Sequence, residues 1–131
     1  MDFRDLVTLY FERTNAMQTL WSIYITIVLG LLGFVGTAKP RTAIVVAMAI
    51  AFCGFAYVNC DALRSVTWQR NVVASLVRAE SGKGDNSDAR LRIAGTLDPP
   101  SVRGVIAFHV LGDVLVLSAI LFLGLKRTLV P

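Results

Sequence analysis

Three stretches of the chain are apolar and almost free of charge. Residues 20–38 and 42–60 contain no Asp, Glu, Lys or Arg, and residues 104–125 contain one, Asp113. Each run holds 19 to 22 residues, enough to cross about 30 Å of hydrocarbon at about 1.5 Å per residue. Transmembrane β-strands would be about half as long and would alternate apolar and polar positions, which these runs do not. Inside a bilayer the backbone must satisfy its own hydrogen bonds, so runs of this kind form helices. The pattern predicts an all-α integral membrane protein with three transmembrane helices, over 19–38, 42–60 and 102–125.

The flanking segments are also patterned. In residues 2–18, Phe3, Leu6, Val7, Tyr10, Phe11 and Met17 fall on one face of a 3.6-residue helix, and Asp5, Thr8, Glu12 and Asn15 on the other. This N-terminal amphipathic helix either lies in the interface or runs straight into span one, with Trp21 and Tyr24 at headgroup level. Residues 61–80 contain no Gly or Pro and read as a helical extension of span two. Ala62, Val66, Val73, Leu76 and Val77 can form an apolar stripe there, which needs a partner: the N-terminal helix or another subunit. Residues 81–100 read as a polar loop. Gly82-Lys83-Gly84 lacks P-loop spacing, and Asp85 and Asp88 lack the alternating ligands of an EF-hand. The short link around Lys39-Pro40-Arg41 makes spans one and two an antiparallel hairpin. Pro99 and Pro100 stop what precedes span three, and Ser101 fits as its N-cap.

Composition agrees with the membrane class. Of 131 residues, 55% are hydrophobic and 17% charged, with a mean hydropathy of +0.63, against about 25% charged in soluble domains. The net charge of +4 comes from basic residues that flank the spans, so the expected partner is the lipid bilayer and not nucleic acid. Nine of the 13 Lys and Arg residues lie in the N-terminal segment and the second connection. By the positive-inside rule those regions are cytoplasmic, which puts the N-terminus inside and the C-terminus outside the cell (inner) membrane. The acidic Asp2, Asp5 and Glu12 argue for a retained signal-anchor over a cleaved signal peptide. Cys53 and Cys60 share one helix about 10.5 Å apart along its axis, too far for a mutual bond, and read as small apolar residues.

Asp113 is the residue that most needs explaining. It lies mid-way along the third apolar run, where an acid costs about 2.5–3.5 kcal/mol on insertion scales. His109, four residues earlier, shares its helical face. The pair either lines a polar pathway or forms a buried polar contact that fixes helix packing. Asn59 and Asp61, with Tyr57 nearby, mark the inner end of span two; they either line an inner vestibule or, as the more common case, simply sit at the interface, and a track Asp61–Asn59–His109–Asp113 is geometrically allowed. Small residues supply a packing signal: Ala43, Ala47 and Ala51 repeat every four positions on span two, and Gly30, Gly33 and Gly36 every three on span one.

No catalytic constellation stands out, and an enzyme acting alone is not expected. No cofactor or metal is implied. The three-span size and lone histidine superficially resemble the haem-bearing membrane anchors of respiratory complexes, but His109 is the single histidine, so bis-histidine ligation would take two chains. The leading expectation is a homo-oligomer, channel-like or transport-related, with His109 and Asp113 facing its interior. The alternative is an anchor, accessory or assembly subunit that docks a protein partner on its cytoplasmic helices.

Overall fold

The computed structural model describes residues 2–38, 40–83 and 87–126. They form four helices: α1 (Phe3–Ala38), α2 (Thr42–Ser81), α3 (Ser87–Thr96) and α4 (Val102–Lys126). Helices α1, α2 and α4 are each long and apolar enough to cross a membrane. Lys39 of the first turn, residues 84–86 of the polar segment and Arg127 beside the C-terminal Lys126 lie outside the described residues.

The N-terminal amphipathic segment is not a separate element. It continues into the first apolar run as one 36-residue helix. Nothing between Phe3 and Ala38 breaks it, since the first proline is Pro40. Helix α2 is likewise unbroken over 40 residues, about 60 Å at 1.5 Å per residue. It opens at an extended Arg41, whose carbonyl accepts from the amides of Ile44 and Val45. Helix α4 starts as its cap predicts. Ser101 Oγ accepts the Gly104 amide at 3.0 Å, and the Ser101 carbonyl accepts that of Val105.

One seam of α2 organises the bundle. Its buried residues include Val45, Ala49, Phe52, Ala56, Asn59 and Leu63, then Thr67, Arg70, Ala74, Val77 and Ser81. The steps alternate four and three, as in a coiled coil, with one extra four-residue step from Leu63 to Thr67. Such a step is a local unwinding that keeps a long seam facing its partners. The stripe expected over 61–80 is therefore rotated from the real one. Val73 and Val77 are buried, but Leu76 is 48% exposed, and the remaining inward positions are taken by Leu63, Thr67, Arg70 and Ala74.

Two cores lie along this seam. In the apolar zone Tyr24 and Val35 of α1, Val45, Phe52 and Ala56 of α2, and Ile120 of α4 pack together. Beyond that zone, at the end holding the chain's N-terminus, Leu6 and Tyr10 of α1 pack on Val73, Ala74 and Val77 of α2 and on Ala94 and Leu97. So the extension of span two finds its partner in the same chain.

Helix α3 corrects the reading of 81–100 as a loop. Its ten residues average a polar composition and contain Gly95, so no periodic signal marks it. Tertiary contacts hold it instead. Ala94 is buried, Arg78 donates to the Leu97 carbonyl at 2.6 Å, and Arg90 donates to the Lys83 carbonyl at 3.0 Å while lying over the Phe3 ring. The Lys83 ammonium, 2.8 Å from Glu80, holds that carboxyl below the usual carboxylate range.

The register of α2 against α4 is fixed at two points. Asn59 meets His109, and Val45 lies against Gly124. A Cβ on Gly124 would stand 2.5 and 2.7 Å from the Val45 methyl carbons. Val45 is fully buried and β-branched, so it has few other rotamers to adopt. Gly124→Ala is therefore expected to destabilise the bundle by about 1–3 kcal/mol through overpacking. Val45→Ala in the same chain should return part of that loss. Thermal unfolding of the single and double variants in detergent measures both, and additive losses would show that the contact is not made.

Candidate functional site

The polar residues of the three apolar helices converge on one hydrogen-bonded chain. His109 Nδ1 lies 2.7 Å from Asp113 Oδ2, and the Tyr24 hydroxyl donates to Asp113 Oδ1 at 2.9 Å. On the other side of the ring, Asn59 Nδ2 lies 3.0 Å from His109 Nε2. The chain Asn59–His109–Asp113–Tyr24 thus links α2, α4 and α1. One proton arrangement that satisfies it has Nδ1–H and Tyr24 O–H donating to the Asp113 carboxyl oxygens while Nε2 accepts from the Asn59 amide; with that amide turned over, Nε2–H donates to its oxygen instead.

Aromatic rings enclose the histidine. The Tyr24 and Trp21 ring centroids lie 4.6 and 5.6 Å from that of His109, and Tyr24 stacks on Phe55 at 6.2 Å. His109 and Asn59 are buried, whereas the Asp113 side chain keeps 20% of its surface exposed. Gly112 leaves the path open for Tyr24. A Cβ there would stand 3.2 Å from the tyrosine hydroxyl.

The register sets the depth of this chain. Asn59 is one residue from the end of the 42–60 run, and Tyr24 is four residues inside the 20–38 run. His109 therefore lies at the edge of the apolar zone shared by the three helices, and Asp113 about one turn, or 6 Å, further in. The sequence placed Asp113 mid-span. The shared zone is offset along α4, because α4 enters it several residues after its own apolar run begins.

The proposed track is realised in part. Asn59, His109 and Asp113 are joined; Tyr57 and Asp61 are not. Tyr57 is 77% exposed and turned away from the bundle interior. Asp61 is exposed and lines a separate groove with Arg64 and Arg103. Tyr24 was read as an interfacial anchor, and its role in the chain was missed. A tyrosine near the level of an intramembrane acid on a neighbouring helix is the signal, and it becomes legible only once the register is known.

The small-residue positions also fall otherwise than within the bundle. Ala43, Ala47, Ala51, Gly30 and Gly33 are all exposed, and added Cβ atoms at Gly30 and Gly33 would meet nothing within 4 Å. The close approach inside the bundle is made at Gly124 and Gly112. Cys53 is exposed and Cys60 half-buried.

Both ring nitrogens of His109 are engaged, so a haem iron or other metal would have to displace Asn59 or Asp113. Among the described residues no three His, Cys, Asp or Glu side chains cluster as a metal site would need. No family model matches the chain, and no match is found among curated proteins or among solved structures.

A second buried polar contact lies in the core at the N-terminal end of the bundle. Arg70 is 8% exposed. It donates to the Tyr10 hydroxyl at 2.8 Å, lies over the Tyr10 ring at 4.9 Å and approaches Met17 Sδ at 3.8 Å. Its Nε has no hydrogen-bond partner, and no carboxylate among the described residues pairs with it. The ring face of Tyr10 supplies part of the missing counter-charge.

The saturated chain predicts how substitutions at Asp113 divide. In Asp113→Asn the new carbonyl still accepts from Tyr24. Its amide can donate to Nδ1 if the histidine proton moves to Nε2 and the Asn59 amide turns over. Asp113→Leu strands the Nδ1–H and the Tyr24 O–H, at about 1–3 kcal/mol for each buried group. The asparagine variant should lose about 1 kcal/mol or less, and the leucine variant several times as much. Unfolding in detergent decides between them, and equal losses would count against a packing role for the acid.

Proposed function

We propose that this protein is a multi-pass membrane protein that works as an anchor or accessory subunit, with its N-terminal, extramembrane helices on the cytoplasmic side docking a protein partner. One observation carries the docking claim. On the extramembrane part of α2, Trp68, Val72 and Leu76 are spaced by four residues and are 61%, 37% and 48% exposed. They form an apolar ridge beside the groove lined by Leu9, Arg13 and Gln69. A lipid-facing helix needs no explanation for exposed apolar side chains. A helix standing outside the bilayer does, because such a ridge is costly in water and marks contact surfaces. An amphipathic partner helix laid along the groove would cover it.

The channel-like reading has less support. It requires His109 and Asp113 to face an axis between subunits, whereas His109 is buried inside one chain with both ring nitrogens occupied.

A homo-oligomer remains a second reading, on a different observation. Asn15, Thr19, Ser22, Thr26, Gly30, Gly33 and Thr37 are all exposed on α1. They repeat in steps of four, three and four, an eleven-residue period that suits right-handed crossing of two helices. Small and hydroxyl residues at such spacing allow close backbone approach in lipid.

Photocrosslinking separates the readings. With a photoreactive residue at Leu76, the anchor reading expects an adduct with a different protein in native membranes. The double variant Val72→Glu, Leu76→Glu should abolish that adduct and leave the chain's own unfolding temperature unchanged. With the probe at Thr26, the oligomer reading expects a dimer of the chain. A position-76 probe that captures nothing but lipid or a second copy would overturn the docking claim.

A further inference from the structure

The groove that holds Asp61 points to a lipid site. It lies between α2 and the start of α4, encloses about 680 Å³, and is lined by Asp61, Arg64, Ser65, Trp68 and Arg103 among others. Along α4 it adjoins a second, apolar groove of about 570 Å³, formed with Ala107, Val110, Leu111 and Val114. The two share Arg103 and Ile106. A polar basin with two arginines thus adjoins an open apolar face of α4.

The register gives the level of each part. The pairing of Asn59 with His109 puts Arg103 opposite residues 64 and 65 of α2. That level lies about 9 Å outside His109, at 1.5 Å per residue, and just beyond the ends of the apolar runs at residues 60 and 104. In a bilayer this is the headgroup region. The apolar face of α4 lies on the membrane side of it.

The charges fit an anion. Arg64 and Arg103 form no ion pair among the described residues, so the basin carries two guanidinium charges against the single carboxylate of Asp61. The amides of the first turn of α4 add positive potential at the same end. Ser65 offers a hydroxyl, and the exposed Trp68 indole borders the basin on the side away from the apolar runs.

We infer that this site binds one anionic phospholipid, with its phosphate between Arg64 and Arg103 and an acyl chain along Ile106, Ala107, Val110 and Val114. The inference rests on the membrane placement of the preceding reading and not on the docking claim. It assigns a role to Asp61, Arg64 and Arg103, none of which touches the buried chain of Asn59, His109, Asp113 and Tyr24. Asp61 offsets one of the two guanidinium charges and leaves a net attraction for an anionic headgroup.

Native mass spectrometry of the full chain released from lipid nanodiscs tests this. Incorporation into the discs checks membrane placement separately. In discs of mixed phosphatidylcholine and phosphatidylglycerol, the wild type should retain one phosphatidylglycerol. The double variant Arg64→Gln, Arg103→Gln should weaken retention about ten- to thirty-fold, as expected for the loss of two interfacial charges. Arg92→Gln, on the exposed face of α3, should leave it unchanged, and Ala107→Phe, which puts a bulky ring on the apolar face where the acyl chain would lie, should reduce it. Equal retention of both lipids, or an Arg92→Gln effect as large as that of the double variant, would overturn a specific site. Full competition by glycerol phosphate would overturn the acyl-chain half of it.

Discussion

In a bilayer, three apolar helices would gain nothing from hiding hydrocarbon from one another, because lipid tails are as apolar as leucine. What distinguishes the native arrangement must come from packing and from groups that lipid cannot satisfy. Asp113 is the strongest such group. Its carboxylate takes one proton donor from its own helix and one from α1, and the histidine it orients takes a third bond from α2. Because the acid is costly in any register that leaves it unpaired, the chain of four side chains selects the one alignment in which every polar atom is answered. The apolar contacts then follow. Val45 falls against Gly124, and Tyr24 passes over Gly112.

The same logic recurs outside the apolar zone with other chemistry. Arg70 occupies an inward seam position where a leucine would pack, and it is held by a phenol, a ring face and a thioether. Replacing buried ionic groups by apolar ones is often neutral or stabilising, so this arginine adds little net stability. It does specify alignment. A guanidinium that fits the Tyr10 hydroxyl and ring together fits one relative position of α1 and α2. Two polar residues in the middle of the α2 seam, Asn59 and Arg70, thus set its register against α4 and α1 respectively.

How much of this was legible in the sequence depends on the range of the interaction involved. The three apolar helices follow from hydropathy, a property of each run alone. The His109–Asp113 contact follows from a spacing of four on one helix. The continuity of α1 is one of the two readings the pattern leaves open, and the absence of any breaker before Pro40 agrees with the one observed. The parts that were not legible require knowing which residues meet across helices. Tyr24 looked like an interfacial anchor because nothing local shows that Asp113 lies beside it. Asp113 looked central because the shared zone is offset from the apolar run of its own helix. Ala43, Ala47 and Ala51 matched a packing pattern that the bundle does not use, while Gly112 and Gly124 stood in no pattern at all. Helix α3 had no signal because its stability comes from Arg78, Arg90 and a buried Ala94, and not from its own composition.

The closure of the polar chain also bears on what the bundle can do. A proton or ion path needs groups that can pass on what they receive, hence a free donor or acceptor at each end. Here the Asn59 end stops against the histidine inside the bundle, and the Tyr24 hydroxyl spends its proton on the acid. Only the partly exposed face of the Asp113 carboxylate communicates outward. A chain closed in this way fits the proposed reading of a scaffold whose exposed surfaces would carry the function. Two such surfaces lie toward the end that holds the N-terminus, the Trp68–Leu76 ridge and the Arg64–Arg103 basin. They meet at Trp68, so a partner on the ridge and a lipid in the basin would touch the same indole and sense each other through it.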